Sequence, residues 1–172
     1  FFLNFNPIPL SNLQTKTQTH THNAVDASEL NPLPDYFLYL LHSKLMGQRV
    51  LNVSTSNNAV LTVFMHCSAS SKSGGVTISF LNLHESDHAN LSLPISLQLP
   101  EVESYVLTAG NPISSKSNPL QSREILLNDN ILSLNHTSSP PTLPSLVPKH
   151  ISTRSGYVSL PPTTYGFIDF TS

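Results

Sequence analysis

The spacing of apolar residues changes at Gly47. Before it, Phe37, Leu38, Leu41 and Leu45 recur at helical intervals between Pro34 and Met46, with proline in the first turn and glycine just past the end. That punctuation predicts a short amphipathic helix. After Gly47 the interval drops to two. Val50 to Val53 and Ala59 to Cys67 read as strands, the second placing Leu61, Val63, Met65 and Cys67 on one face. Val76, Ile78 and Phe80 alternate with Thr77 and Ser79, and Leu91 to Leu99 alternates leucine or isoleucine with Ser92, Pro94, Ser96 and Gln98. The latter predicts one buried and one wet face, with Pro94 confining the strand to a sheet edge or a bulge. Further strands are expected at Ser104 to Thr108, Glu124 to Leu127, Ile131 to Leu134 and Tyr165 to Phe170, with Asn128-Asp129-Asn130 as a tight turn.

Short strands at this spacing predict a mainly β fold: an antiparallel β-sandwich preceded by one amphipathic α-helix. Pro140 to Pro148 is too rich in proline for a central strand and should cross the surface as an extended loop. Residues 11–23 are polar, threonine-rich and without period, and the whole of 1–28 is expected to be a disordered or aberrant lead-in.

A length of 172 residues suits one domain. Only 10% of them are charged, against about 25% in an average soluble domain. The net charge of -2 is spread without runs, so the chain lacks the basic footprint of a nucleic-acid or anionic-membrane binder. Its polar surface must be built from Ser, Thr and Asn, which fits the secretory pathway. Three N-glycosylation triplets agree with that: Asn52-Val53-Ser54, Asn90-Leu91-Ser92 and Asn135-His136-Thr137. Phe1 to Leu10 lacks the features of a secretory signal, and no stretch reaches the roughly 20 apolar residues of a membrane span. Cys67 is the sole cysteine, so it is either a buried apolar residue or half of a bridge whose partner is missing.

Candidate chemistry is sparse. His84-Glu85-Ser86-Asp87-His88 matches the zinc-protease pattern H-E-x-x-H, but that chemistry needs a helix to bring both rings to one face, and the pentad falls between two predicted strands as a hydrophilic hairpin loop. His20 and His22 have no ordered third ligand. Glu101 and Glu103 would share one side of a strand, as a glycosidase pair could, yet after Pro100 they read as solvated residues at a strand entrance. His66, beside Cys67 in an apolar strand, reads as a packed, hydrogen-bonded ring. With no G-x-S-x-G, P-loop or G-x-G-x-x-G, no catalytic, metal or cofactor set is assigned.

One resemblance is carried by ordered segments. Asn31-Pro32-Leu33-Pro34-Asp35-Tyr36, with Leu40-Leu41, Lys44-Leu45-Met46-Gly47 and Val50-Leu51, resembles the helix that heparanase-like proteins of glycoside hydrolase family 79 carry near their C-terminal region. The resemblance continues in register through Val63-Phe64-Met65-His66-Cys67-Ser68, Leu81-Asn82-Leu83, Leu91-Ser92-Leu93-Pro94, Tyr105-Val106-Leu107-Thr108-Ala109, Ile125-Leu126-Leu127-Asn128 and Tyr165-Gly166-Phe167. The Leu107-Thr108-Ala109 and Leu120-Gln121-Ser122 pieces look most like plant members.

This resemblance implies a two-part protein: a (β/α)8 barrel that hydrolyses β-glucuronides by a retaining mechanism, using two glutamates on barrel strands, and a β-sandwich beside it. Residues 29–47 would then hold the last barrel helix and 48–172 the sandwich. Neither catalytic glutamate falls within these residues, and residues 21–30 do not reproduce the glycine and aromatic groups of the barrel loop before that helix. The implied role is accessory to a barrel joined in cis, with a glucuronide or glucuronic-acid-containing glycan as the parent's substrate. The implied location is extracellular, cell-wall, lysosomal or vacuolar, or membrane-associated. Phe37, Leu38 and Leu41 are expected to be exposed, made for the barrel. Relatives' sandwiches also borrow strand material from before the barrel, which would leave an open edge here. The alternative is a stand-alone carbohydrate-binding sandwich; zero Trp and five Tyr speak against it.

Overall fold

A computed structural model describes residues 2–7, 32–54, 60–69, 74–110, 122–137 and 139–171. The fold is mainly β, with antiparallel sheets and, among the described residues, one α-helix, α1 (Pro34–Leu45), ahead of nearly all the strands. Pro34 opens α1 where a missing N–H costs nothing. The helix runs without a linker into β2 (Met46–Ser54). Gly47, expected as the stop of the helix, is required for a different reason: a Cβ there would lie 2.5 Å from the Cys67 carbonyl oxygen.

The large sheet has the order β1 (Phe2–Pro7), β2, β3 (Leu61–Ser68), β4 (Val76–Asn82), β11 (Thr164–Phe170), β6 (Val102–Ala109), β7 (Ile125–Leu127), β8 (Asn130–Ile131). The first half of β6 also pairs with β9 (Lys149–Ile151). A second sheet pairs β5 (Ala89–Ser92) with β10 (Tyr157–Leu160). Leu91, Leu93, Leu97, Val158 and Leu160 from this smaller layer bury Met65, Ile78, Phe80 and Ile168 of the large sheet, forming the main core. In β11, Gly166 sits opposite Phe80, and a Cβ on it would come within 2.5 Å of that ring.

The other face of the large sheet is covered by α1. Phe37, Leu41 and Leu45 are 1%, 0% and 1% exposed, packed with Tyr105, Leu107, Leu127 and Phe167. This corrects the expectation that Phe37 and Leu41 would be left exposed: the chain's own sheet supplies an apolar face to receive them. Leu38 is half-buried, and Tyr39 points outward.

Three other expectations change. The alternation of Leu91 to Leu99 does not make one strand. Pro94 cannot donate to a ladder, and the chain turns into a 3-10 helix at Ile95–Leu97 that keeps Leu93 and Leu97 inside and turns Ile95 out, 86% exposed. Residues 83–88 do form a loop, yet not a hairpin, because β4 and β5 lie in different sheets. Asn82, wholly buried, fixes that corner by donating to the Leu160 (3.1 Å) and Pro161 (2.9 Å) carbonyls while its Oδ1 accepts from the His84 N–H. The expected strand from Ile131 is cut to two residues.

Strands β1, β9 and β10 lie outside the predicted set. β1 falls within the segment 1–28 that pattern left without structure, and it pairs antiparallel with β2, Leu3 opposite Val53. It forms one edge of the large sheet. The turn at Asn128-Asp129-Asn130 is present between β7 and β8, with φ of 48° and 68° at Asn128 and Asp129. The proline-rich stretch from Pro140 to Pro148 contains no strand.

Candidate functional site

On the face beneath α1, alternation along five strands brings polar residues into one line. His66 of β3 lies opposite Thr77 of β4, Thr77 opposite Asp169 of β11, Asp169 opposite Glu103 of β6, and Glu103 opposite His150 of β9. Thr77 and Asp169 are buried. The Thr77 hydroxyl reaches the Leu45 carbonyl at 2.9 Å and the Asp169 carboxylate at 2.8 Å. Tyr105, two residues along β6, donates to the Glu103 carboxylate at 2.8 Å. Burial pushes the Tyr105 phenol well above its ordinary range, and the hydrogen bond and negative charge of Glu103, with Asp169 beyond, push the same way.

Beside α1 the same face opens into a groove of about 830 Å³ lined by His42, Phe64, His66, Ser79, Tyr165 and Asn52. The His66 Nδ1 is 2.8 Å from the Gly47 carbonyl, and its ring stands edge-on to that of His42 at 6.2 Å between centroids. Burial holds the His42 imidazole below its usual pKa, with the neighbouring His66 adding to the effect. Burial raises the Tyr165 phenol, and a hydrogen bond with Ser79 partly opposes this. The lining is largely apolar, with Met46, Val50, Leu51 and Leu61 beside two imidazoles and a few hydroxyls, and among the described residues it holds no carboxylate.

The residues singled out from sequence do not converge. Glu101 is exposed and lies 2.9 Å from the His150 Nδ1, while Glu103 is half-buried against Tyr105. The carboxylate across the ladder from Glu103 is Asp169, which sequence reasoning missed. Its one signal was an acid inside the apolar run Phe167 to Phe170. At 1% exposure Asp169 is closed to any sugar, whereas a glycosidase pair must flank an open cleft.

The H-E-x-x-H pentad is a loop. His84 lies 3.6 Å from Asp87, and His88 turns to Ser159 at 3.1 Å. Among the described residues no three His, Cys, Asp or Glu side chains gather as a metal site, and His20 and His22 lie outside them. Cys67 is half-buried at the end of β3, opposite Val76. All three sequon asparagines are exposed: Asn52 in β2, Asn90 in β5 and Asn135 in a turn after β8. No helix among the described residues is long and apolar enough to cross a membrane.

No family model matches the chain. Individual proteins do. It is 33% identical to bovine heparanase (Bos taurus) over 152 residues, 85% of this chain and 26% of that protein. It is 34% identical over 112 residues to baicalin-beta-D-glucuronidase of Scutellaria baicalensis, 65% of this chain and 20% of the relative. Inactive heparanase-2 of Mus musculus matches at 29% over 163 residues, 86% and 26% of the two chains. The chain thus spans a fifth to about a quarter of the length of these three relatives.

Proposed function

Starting from homologues in the heparanase family at about 30–35% identity, we propose that these residues form the C-terminal β-sandwich of a heparanase-like glycoside hydrolase. Hydrolysis of a β-glucuronide belongs to a (β/α)8 barrel of the same protein, against which the sandwich packs. The observation that carries this reading is the span of the match: 152 residues that make up 85% of this chain yet only 26% of bovine heparanase.

The chemistry agrees. Retaining hydrolysis needs two carboxyl groups about 5–5.5 Å apart on either side of a sugar. Here Asp169 lies beneath α1, Glu103 is held by Tyr105 and Glu101 faces His150. Sharing this stretch with a relative named inactive heparanase-2 fits a structural role that accompanies activity without supplying it. The low charge and the three sequons support passage through the secretory pathway.

Two assays test this. The purified chain should not turn over a chromogenic β-glucuronide. A chimera of baicalin-beta-D-glucuronidase carrying this chain in place of its matching residues should be soluble and keep turnover. Hydrolysis by the chain alone, lost on Glu103→Gln, would overturn the reading.

A further inference from the structure

The three sequons share exposed asparagines but differ in what surrounds them. In Asn90-Leu91-Ser92 the middle residue is wholly buried in the main core, and the triplet is locked in β5 by its pairing to Tyr157, Val158 and Ser159 of β10. In Asn52-Val53-Ser54 the chain runs in β2 between β1 and β3, with Val53 packed against the core. Asn135-His136-Thr137 is different: all three residues are exposed and none belongs to a strand. The Asn135 Oδ1 accepts from both the Thr137 N–H (2.9 Å) and the Thr137 hydroxyl (2.6 Å), so the asparagine amide and the hydroxyl two residues on are already held together in a turn. Backbone hydrogen bonds between Asn135 and Thr142 close the base of that loop.

An oligosaccharyltransferase must hold the acceptor amide and the +2 hydroxyl of one triplet at once. A triplet whose middle side chain is buried in a ladder is withdrawn as soon as the domain folds. A triplet in an exposed turn is not. From this contrast we infer that Asn135 is the principal N-glycan acceptor of this chain, and that it stays open to modification after folding. In the transfer, the Asn135 side-chain nitrogen bonds to the anomeric carbon of a lipid-pyrophosphate-linked oligosaccharide. The bond from that carbon to the pyrophosphate oxygen breaks, the amide loses one proton, and the lipid pyrophosphate leaves. This assignment rests on the secretory reading above.

The test is built so that the two can fail separately. The full chain is expressed in eukaryotic cells behind an added signal peptide, with a control sequon appended at its C-terminus to report entry to the lumen. Glycosidase release in heavy-oxygen water, followed by mass spectrometry, reads each site. Asn135 is expected to show the highest occupancy of the three native sites. Asn135→Gln and Thr137→Ala should each remove one mobility step on gels, Thr137→Ser should keep it, and the Asn52→Gln/Asn90→Gln pair should leave Asn135 occupied. An occupied control with Asn135 unmodified, or with Asn52 or Asn90 more fully occupied, would overturn the assignment. That result would leave the hydrolase reading to its own assay with the chimera.

Discussion

Thr77 and Asp169 meet at 2.8 Å on neighbouring strands, and the same Thr77 hydroxyl lies 2.9 Å from the carbonyl of Leu45, the last residue of α1. This junction joins the helix to the sheet at the point where α1 turns into β2. The carbonyls of a final helical turn have no partner within the helix, and a buried carboxylate is costly unless it is hydrogen-bonded. The Thr77 hydroxyl has one proton to give and lies within reach of both acceptors, and the Leu45 carbonyl also accepts from the Ala69 N–H at 2.9 Å.

Removing that hydroxyl while keeping the shape therefore takes one donor out of the buried junction where the end of α1 meets the Asp169 carboxylate. Thr77→Val is expected to cost about 1–3 kcal/mol. Thr77→Ser should recover most of it. Urea unfolding would read this as a lower midpoint at unchanged slope for valine alone, and equal midpoints for both variants would refute the role given to the hydroxyl.

The helix gives a second contrast. Phe37 is 1% exposed against the sheet and Tyr39 is 66% exposed. Phe37→Ala should lose about 3–5 kcal/mol, and Tyr39→Ala in the same chain should stay within about 0.5 kcal/mol of the parent. Calorimetric melting of the two variants separates a helix packed on its own sheet from one that hangs free, for which neither change would matter.

Much of this fold was legible in the spacing of apolar residues. The helix and β3 follow their 3.6- and two-residue periods in burial, while β4 and β11 are buried on both faces because a core lies on each side of the large sheet. What misled was alternation without a ladder. Ile95 keeps the period but sits in a 3-10 turn forced by Pro94, and only its 86% exposure reveals this. Strands β9 and β10 were missed because Lys149, His150, Tyr157 and Ser159 are exposed, which leaves too few apolar positions to set a period. The polar line from His66 to His150 could not be read at all: its members come from five strands, and register between strands far apart in sequence leaves no local mark. The apolar residues of α1 were legible, but which body covers them was not.

Alkaline stability should report the Tyr105 environment. Its folded phenol titrates above its ordinary value, through burial first and Glu103 second. The unfolded chain releases this proton earlier, so the contribution is complete below about pH 10 and is lost as pH rises beyond it. Tyr165, also raised by burial, acts with the same sign. Denaturant midpoints measured up an alkaline series should fall above about pH 10. Tyr105→Phe should flatten that fall, at the cost of the hydrogen bond to Glu103.

His42 supplies the acidic counterpart. Its imidazole is held below the usual value by burial and by His66, so the folded state favours the neutral ring. The associated stability is present above about pH 6.5 and declines as pH falls through the lower folded value. A proton NMR titration should place the His42 midpoint below that of an unfolded control. His66→Ala should move it upward, and an unmoved midpoint would remove His66 as a cause.

The β7–β8 turn offers a gain rather than a loss. Asn128 and Asp129 both have left-handed backbone, φ 48° and 68°, a conformation that costs most L-residues about 1–2 kcal/mol and asparagine or aspartate less. Asn128 has its own reason to stay: its Oδ1 accepts from the Val106 N–H, and its Nδ2 donates to the Ser104 and Val147 carbonyls. Asp129 is exposed. Glycine relieves the strain there but makes the unfolded chain freer, so Asp129→Gly should stabilise by only about 0.5 kcal/mol. Asn128→Gly should instead destabilise by about 1–3 kcal/mol, because three hydrogen bonds to β6 and the following loop are lost. Paired thermal melts decide it: two glycines in one turn, with shifts of opposite sign, would show that the conformation needs glycine at one position and the amide side chain at the other.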